Sequence, residues 1–161
     1  MYKNIRERLE EIISGESNFI ANASNFSALL CCGLKDINWA GFYMVNNDEL
    51  ILGPFQGKLA CVRIAIGKGV CGTAAKIRQT IVVDNVEEFP GHIACDPRSK
   101  SELVIPLLEG NTLFGVLDID SPIASRFSQA DNVELEELVN MLVSVSDMDA
   151  IGNYYEISRD L

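Results

Sequence analysis

Residues 102–122 read ELVIPLLEGNTLFGVLDIDSP, two apolar runs on either side of a short polar turn. The runs at 102–108 and 112–119 predict two β-strands, and the turn at 109–111 contains the glycine and asparagine that favour tight connections. Strands joined by so short a turn pair antiparallel. We therefore predict an antiparallel hairpin in the second half of the chain.

An antiparallel meander is predicted upstream of this hairpin, over residues 38–66. Its three strands are 39–45, 50–52 and 60–66. A further brief strand is predicted at 80–83, and it is followed by a long loop at 86–100 that has no hydrophobic periodicity. Loops of that length within a compact domain are more often functional than idle.

Helical periodicity is concentrated towards the two ends of the chain. The first helix has its apolar residues at helical spacing, at Ile5, Leu9, Ile12 and Ile13. Ser17 is the predicted N-cap of a second helix, which is apolar on most sides and ends near Gly33. A short helix is predicted at 73–78. Ser128 is the predicted cap of the last helix, whose apolar face comprises Val133, Leu135, Leu138, Met141 and Leu142.

This order of elements predicts one α+β domain over residues 1–161. Helices from the two ends of the chain can cover one face of an antiparallel sheet. Residues 147–161 are polar, and we expect them to form a loosely ordered tail or to cover a partner.

Composition excludes several classes of function. The 161 residues include 13 Lys and Arg against 23 Asp and Glu, for a net charge of −10. So acidic a chain gains little from contact with nucleic acid or with anionic membranes. No apolar run approaches the roughly 20 residues that span a bilayer. The five cysteines are an odd number, which fits a reducing compartment, and we expect the protein to be cytoplasmic.

Cys95 is the most informative cysteine, because it lies in the polar loop between His92 and Asp96. Such a cysteine is partly accessible, and nearby backbone N–H groups could lower the pKa of its thiol. Cys31 and Cys32 lie in the apolar second helix and are expected to be structural. A zinc site is the alternative for Cys and His together. The chain lacks the short Cys-x-x-Cys elbow of structural zinc sites, so no metal is predicted.

Asp118 and Asp120 are two residues apart and therefore share one face of a strand. Two neighbouring carboxylates repel, which raises the proton affinity of one of them. The pair could act as a general acid, or it could bind a cation or an ammonium group. Two solvated acids at the end of a strand are the other interpretation. The glycine-rich run at 67–73 lacks the Walker pattern, and a turn into a helix explains it better.

Five strings occur in one order along the chain. They are NWAGFY (38–43), LGPFQG (52–57), GKGVCGTAA (67–75), FPGHIACD (89–96) and GVLDIDSP (115–122). Together they resemble the free methionine-(R)-sulfoxide reductases, enzymes built on a single GAF domain. The likeness covers about residues 25–143, and the 10- and 24-residue spacings between Cys61, Cys71 and Cys95 match as well.

The resemblance implies a GAF-like fold and a role for each matching residue. It implies that Cys95 is the catalytic cysteine, Cys61 the resolving cysteine and Cys71 an auxiliary thiol. Further implied substrate-binding residues are the acids Glu102, Asp118 and Asp120 and the aromatic residues Trp39 and Tyr43. The implied reaction reduces free L-methionine-(R)-sulfoxide through a Cys95 sulfenic acid and a Cys95–Cys61 disulfide. Thioredoxin is the implied reductant, without a bound cofactor, and selectivity for R over S rests on the resemblance alone.

Two other functions are consistent with the same residues. A GAF sensor would bind a small ligand without turnover, and a thiol redox sensor would use the Cys95–Cys61 disulfide as its signal. A homodimer is also expected from the family and from the amphipathic terminal helices, although burial against the domain's own sheet explains the same pattern.

Overall fold

The computed structural model describes residues 1–93 and 95–157. Their strands form a six-stranded antiparallel sheet. The strands are β1 Trp39–Asn46, β2 Glu49–Gly57, β3 Arg63–Ala65, β4 Ile81–Val83, β5 Ser101–Glu109 and β6 Thr112–Ser121. Their order across the sheet is β3-β2-β1-β6-β5-β4. The α+β class is confirmed, and so is the predicted hairpin, which is formed by β5 and β6.

Helices cover the sheet and connect its strands. They are α1 Tyr2–Ile13, α2 Phe19–Gly33, α3 Gly69–Ile77, α4 Gln129–Val145 and α5 Met148–Tyr154. A short 3₁₀ helix, Val86–Glu88, lies in the long loop after β4. Within the described part of the chain, no helix has the length and apolar character needed to cross a bilayer.

The two faces of the sheet are covered differently. On one, which we call the helix face, Phe42 and Leu117 pack against apolar residues of α1, α2, α4 and α5. The predicted covering of one face by the N- and C-terminal helices is therefore confirmed. On the other, the α3 face, Tyr43 and Val116 pack with Val70 of α3 in a second apolar cluster.

Side-chain caps fix the starts of two helices. Asn18, not Ser17, caps α2, because its Oδ1 accepts a hydrogen bond from the backbone N–H of Ala21 at 3.0 Å. The prediction of Ser17 is thus wrong by one residue. Ser128 caps α4 as predicted, since its side chain accepts from the N–H of Asp131 while the Asp131 carboxylate accepts from the N–H of Ser128.

The C-terminal region differs from the sequence prediction at two points. Val133 is 47% exposed and does not belong to the apolar face of α4. The residues of that helix buried by the helix-face core are Leu135, Leu138, Val139, Leu142 and Val143. The expected loose tail at 147–161 contains the helix α5, in which Met148 and Ile151 are buried. The last four residues, 158–161, lie outside the described part of the chain.

The predicted strand at 60–66 is shorter than expected, and Cys61 lies before it rather than within it. Two side chains of β1 draw the preceding segment across the α3 face. The Trp39 indole N–H donates to the carbonyl of Lys58 at 3.1 Å, and the Tyr43 hydroxyl donates to the carbonyl of Cys61 at 3.0 Å. Backbone held by these side chains is not paired with β2, so the ladder begins only at Arg63.

The helix predicted at 73–78 begins earlier, at Gly69, and so places Cys71 in the first turn of α3 rather than in a loop. Gly69 has a φ of +60°, which favours glycine. At Gly72 any Cβ would collide with the carbonyl oxygen of Ala65. The glycines therefore allow α3 to begin close against the chain that leaves β3.

Candidate active site

Three acidic side chains meet on the α3 face because of the register between β5 and β6. Glu102 pairs with Asp120, and Asp118 lies two residues further along the same strand. Side chains at alternate positions share a face, so all three point to the same side of the sheet. Glu102 is 5% and Asp118 7% exposed, and Asp120 is half-buried. The shared face of Asp118 and Asp120 is confirmed, and strand register adds Glu102.

Burial favours the neutral form of these carboxyl groups. It raises the pKa of Glu102 well above its usual range, and the neighbouring charges of Asp118 and Asp120 raise it further. Burial likewise raises the pKa of Asp120, reinforced by the charges of Asp118 and Asp96. Burial raises the pKa of Asp118 only to about 6, because interactions with the neighbouring Cys71 and Glu102 favour its charged form. Of the three, Asp118 therefore ionises most readily, whereas Glu102 and Asp120 favour the protonated form.

One oxygen of Asp118 has no partner. Its Oδ1 is buried and receives no hydrogen bond from the described residues, while the side chain lines the cavity on the α3 face. A buried carboxylate oxygen left without a donor is costly. The cavity therefore presents a negatively charged acceptor suited to a cationic or hydrogen-bond-donating ligand.

Cys71 and His92 contact the acid trio from two sides. The thiol of Cys71 donates to Oε1 of Glu102 at 3.7 Å, and burial raises the pKa of this thiol well above its usual range. Nε2 of His92 lies 3.8 Å from Oε2 of Glu102, and burial lowers the pKa of the imidazole. Glu102 thus lies between a neutral thiol and the chain's single histidine.

Aromatic side chains form the wall of the cavity next to the acids. Trp39 pairs with Asp120 across β1 and β6, and its ring stacks on Tyr43 at a centroid distance of 5.9 Å. Phe55 stacks on the other side of Trp39 at 5.3 Å. Gly41 stands between Trp39 and Tyr43 on this face, where a Cβ would collide with both Phe55 and Trp39. Rings and backbone therefore fill the space around Gly41 in this wall.

Cys61 and Cys95 are joined by a disulfide that lies over the same cavity. Their Cα atoms are 6.0 Å apart, and the bridge ties the segment held by Trp39 and Tyr43 to the long loop after β4. Cys95 is exposed and Cys61 half-buried. The cavity volume beneath the bridge is about 30 Å³, room for roughly two water molecules.

A polar network anchors the loop that carries Cys95, and of its members only Asp96 stands out in the sequence, as a neighbour of Cys95. The Asn38 amide donates to the hydroxyl of Ser99 at 3.0 Å and to Asp96 at 3.4 Å. The Arg98 guanidinium contacts Asp96 at 2.9 Å and holds the pKa of that carboxyl well below its usual range. The polar residues that follow Cys95 could have indicated such a network. Asn38, which contacts them, lies in a distant segment of the sequence.

The remaining cysteines lie outside this cavity. Cys31 is half-buried in α2, where its thiol donates to the carbonyl of Gln56 at 3.7 Å. Cys32 is exposed, so the apolar second helix is not buried along its whole length. Neither residue lines the cavity that Cys71 and Cys95 line.

Cys71, Glu102 and Asp118 could in principle hold a metal ion. Their ligand atoms lie within 4.8 Å of one another, the one such group found among the described residues. A thiol and a carboxyl group whose pKa values are both raised must lose protons before they can bind a cation. The absence of a metal therefore stays a prediction.

Comparison with known proteins agrees with this geometry. The family model described as "GAF domain" matches residues 19–146. The "Free methionine-R-sulfoxide reductase" of Escherichia coli (strain K12) is 49% identical over 144 residues, covering 89% of this chain and 87% of that protein.

Two solved structures have the same fold over nearly the whole chain. The substrate complex of fRMsr of Staphylococcus aureus is 50% identical, with a TM-score of 0.85, and covers 89% of this chain and 94% of that one. The substrate complex of the Neisseria meningitidis free methionine-R-sulfoxide reductase is 39% identical, with a TM-score of 0.87, and covers 95% and 91%. This chain belongs to the GAF domain family and, within it, to the free methionine-R-sulfoxide reductases.

Proposed function

We propose that this protein reduces free L-methionine-(R)-sulfoxide to L-methionine. Its support is the placement of the Cys61–Cys95 bridge at a cavity lined by Cys95, three acids and an aromatic wall. Sulfoxide reduction needs a sulfur nucleophile, a proton donor and a site for an apolar thioether side chain. These requirements match the three parts of the cavity.

Asp118 is proposed to bind the α-ammonium group of the substrate. It is the most acidic of the three carboxyl groups, and its Oδ1 is the buried acceptor without a donor. The ammonium group exists only in the free amino acid, which explains selectivity against methionine sulfoxide within a protein. Trp39 and Tyr43 would contact the substrate's methyl and methylene groups, and backbone N–H groups of the 91–95 loop would bind the carboxylate.

Glu102 and Asp120 are proposed as the proton donors. A sulfoxide oxygen is a poor leaving group, so attack at sulfur requires protonation of that oxygen. Burial raises the pKa of both carboxyl groups, and the charges of neighbouring acids raise it further, which favours the protonated form that can donate. Glu102 also receives the hydrogen bond of Cys71, which we propose as the auxiliary thiol.

The proposed reaction begins with attack of the Cys95 thiolate on the sulfoxide sulfur while an acid protonates the oxygen. The attack forms a bond between the Cys95 sulfur and the substrate sulfur, the S–O bond breaks, and the protonated oxygen leaves as water. Water then attacks the Cys95 sulfur, the bond to the substrate sulfur breaks, and methionine departs as the reduced product while Cys95 is left as a sulfenic acid. Cys61 then attacks the Cys95 sulfur and forms the disulfide, and the oxygen leaves as water. A protein dithiol such as thioredoxin, with a potential of about −270 mV, reduces this disulfide and is itself oxidised. No bound cofactor takes part.

We further propose that the chain acts as a single GAF-like domain over residues 1–161 in the cytoplasm. The free thiols of Cys31, Cys32 and Cys71 fit a reducing compartment. Assembly as a homodimer stays a prediction, to be checked by sedimentation.

An NADPH-coupled thioredoxin assay on four substrates tests the reaction. The substrates are free L-methionine-(R)-sulfoxide, the free S isomer and the N-acetylated form of each. We expect turnover on the free R isomer alone. Turnover of an acetylated substrate would contradict ammonium recognition by Asp118. Absence of turnover on all four would favour a GAF sensor or a thiol redox sensor.

Thiol variants separate an enzyme from a redox sensor. Cys95→Ser should abolish reduction, whereas Cys61→Ser should release about one equivalent of methionine and then stall, because the sulfenic acid is not resolved. A Cys31→Ser/Cys32→Ser double variant is the matched control and should retain activity. Full steady-state activity of Cys61→Ser would instead point to Cys71 as a resolving residue.

A further inference from the structure

Large apolar side chains surround the Cys61–Cys95 disulfide on the outside of the protein. Leu59 is 91% exposed and Val62 65%, and they lie two residues before and one residue after Cys61. Ile93, two residues before Cys95, is 39% exposed. Exposed apolar groups gathered at one place are typical of a surface that contacts a partner.

The segment of sequence that contains Cys61 has a charge opposite to that of the whole chain. Residues 50–83 contain no acidic side chain, although the protein has 23 acidic residues in 161. The same segment holds five basic residues, Lys58, Arg63, Lys68, Lys76 and Arg78. Lys58 and Lys68 are exposed, and Lys68 lines the cavity mouth together with Leu59 and Ile93. We call these two lysines with Leu59, Val62 and Ile93 the disulfide rim.

We propose that the disulfide rim is the docking surface for the protein dithiol that reduces the Cys61–Cys95 bridge. The partner's face around its attacking cysteine is then apolar and acidic, to match the rim. This inference rests on the proposed function, since it assumes that the bridge is formed and reopened in each cycle. A second copy of the chain does not fit, because like-charged rims would oppose each other.

Docking brings a partner thiolate to the sulfur of Cys61. That thiolate attacks Cys61, the bond between Cys61 and Cys95 breaks, and Cys95 leaves as a thiolate or takes up a proton. The second thiol of the partner then attacks the mixed disulfide and frees Cys61. Two electrons pass to this protein, and the partner's dithiol becomes a disulfide. Cys95 is thereby returned to the state in which it attacks substrate.

Kinetics with two reductants test the proposal. Val62→Ser removes apolar surface and Lys58→Glu reverses a charge, and neither side chain lines the substrate cavity. We expect each variant to lower kcat/KM for thioredoxin by at least about fivefold. Turnover driven by dithiothreitol, which needs no docking surface, should stay within about twofold of wild type in both.

Two matched controls carry the same changes elsewhere. Val133→Ser alters an exposed apolar residue on α4, and Lys3→Glu reverses an exposed charge on α1. Both should retain wild-type kcat/KM for thioredoxin. Raising the ionic strength should weaken the thioredoxin reaction of wild type more than that of Lys58→Glu, because salt screens the attraction.

Failure of this inference is distinguishable from failure of the proposed function. If dithiothreitol supports no turnover of wild type, the proposed function fails. If dithiothreitol and thioredoxin both support turnover but Val62→Ser and Lys58→Glu match wild type with thioredoxin, the docking surface is wrong. Sedimentation provides a further check, because conversion of a dimer to a monomer by Val62→Ser would identify the rim as an interface between copies and overturn the proposal.

Discussion

The helix face and the α3 face are built from the same strands, but the first packs against helices and the second lines the cavity. In β6, Leu117 and Ile119 are fully buried against the helices, while Asp118 and Asp120 project into the cavity on the opposite side. In β5, Leu103 likewise packs against the helices, while its neighbour Glu102 lines the cavity. The two-residue period of a strand thus lets one segment supply apolar packing and chemical groups at alternate positions. We therefore expect a substitution at a residue that faces the helices to change mainly stability, and a substitution at its neighbour that faces the cavity to change mainly activity.

The largest expected effect is on activity, from the α3 face. Glu102→Gln keeps the size of the side chain but removes the proton that we assign to catalysis. We expect kcat to fall by about 10²- to 10⁴-fold with the fold intact. Single-turnover assays of methionine release measure the catalytic rate, and unfolding curves show whether the fold is intact. A kcat within about twofold of wild type would show that Glu102 is not a proton donor.

The matching change on the helix face should reverse this outcome. Leu117→Ala removes a fully buried side chain next to Asp118 and should lower the free energy of unfolding by about 2–5 kcal/mol. Activity per folded molecule at 20 °C should stay close to wild type. Urea titration measures the free energy of unfolding. Activity divided by the number of active-site thiols counted in the sample measures the activity per folded molecule. Loss of kcat in the folded fraction would mean that the faces are coupled.

Stability should also depend on pH through the α3 face. Burial raises the pKa of Asp118 from 3.8 to about 6, so the folded protein binds this proton more tightly than the unfolded chain. The contribution is fully present below pH 4 and is lost as the pH rises to 6. At about 1.4 kcal/mol per pKa unit, the loss is about 3 kcal/mol. Urea midpoints at pH 4 and pH 6.5 measure it.

Asp118→Asn should remove the share of this pH dependence that comes from Asp118, while Glu102 and Asp120, whose pKa values are also raised, keep a slope of the same sign. Leu117→Ala should shift the whole curve down without changing its shape. A curve for Asp118→Asn that keeps the wild-type slope would assign the effect to other groups. This pair of neighbouring variants therefore compares the two faces within a single titration.

The smallest expected effect is on substrate binding near neutral pH. Asp118 must be ionised to hold an ammonium group, so kcat/KM should fall up to tenfold per unit as the pH drops below about 6. At the alkaline side, kcat should decline as the raised pKa values of Glu102 and Asp120 are passed. A pH–rate profile measures both limbs. A flat acid limb would exclude Asp118 as the ammonium ligand.

Local sequence patterns predicted the elements that depend on neighbouring residues. The β5–β6 hairpin, the Ser128 cap and the shared face of Asp118 and Asp120 all follow from spacing within a short segment. The position of Cys61 did not, because the alternation at 60–66 suggests a strand. Hydrogen bonds from Trp39 and Tyr43, about 20 residues away, hold this segment outside the ladder.

The candidate site was predictable in part. The resemblance named its cysteines, acids and aromatic residues, but the contacts among them depend on strand register and tertiary packing. Glu102 and Asp120 lie opposite each other because of the register between β5 and β6. The anchoring of the Cys95 loop needs Asn38 to meet Ser99 from a distant segment, and no local pattern encodes that contact.

The small cavity under the disulfide bears on the order of events in turnover. While Cys61 and Cys95 are bridged, the Cys95 sulfur cannot attack a sulfoxide, and the cavity volume is only about 30 Å³. Sulfoxide and reductant therefore react with different states of the protein, the sulfoxide with the free thiols and the reductant with the disulfide. Such alternation gives ping-pong kinetics, with parallel double-reciprocal lines when the two concentrations are varied. Excess sulfoxide would not slow reduction of the bridge, so high oxidant load leaves the recycling step uninhibited.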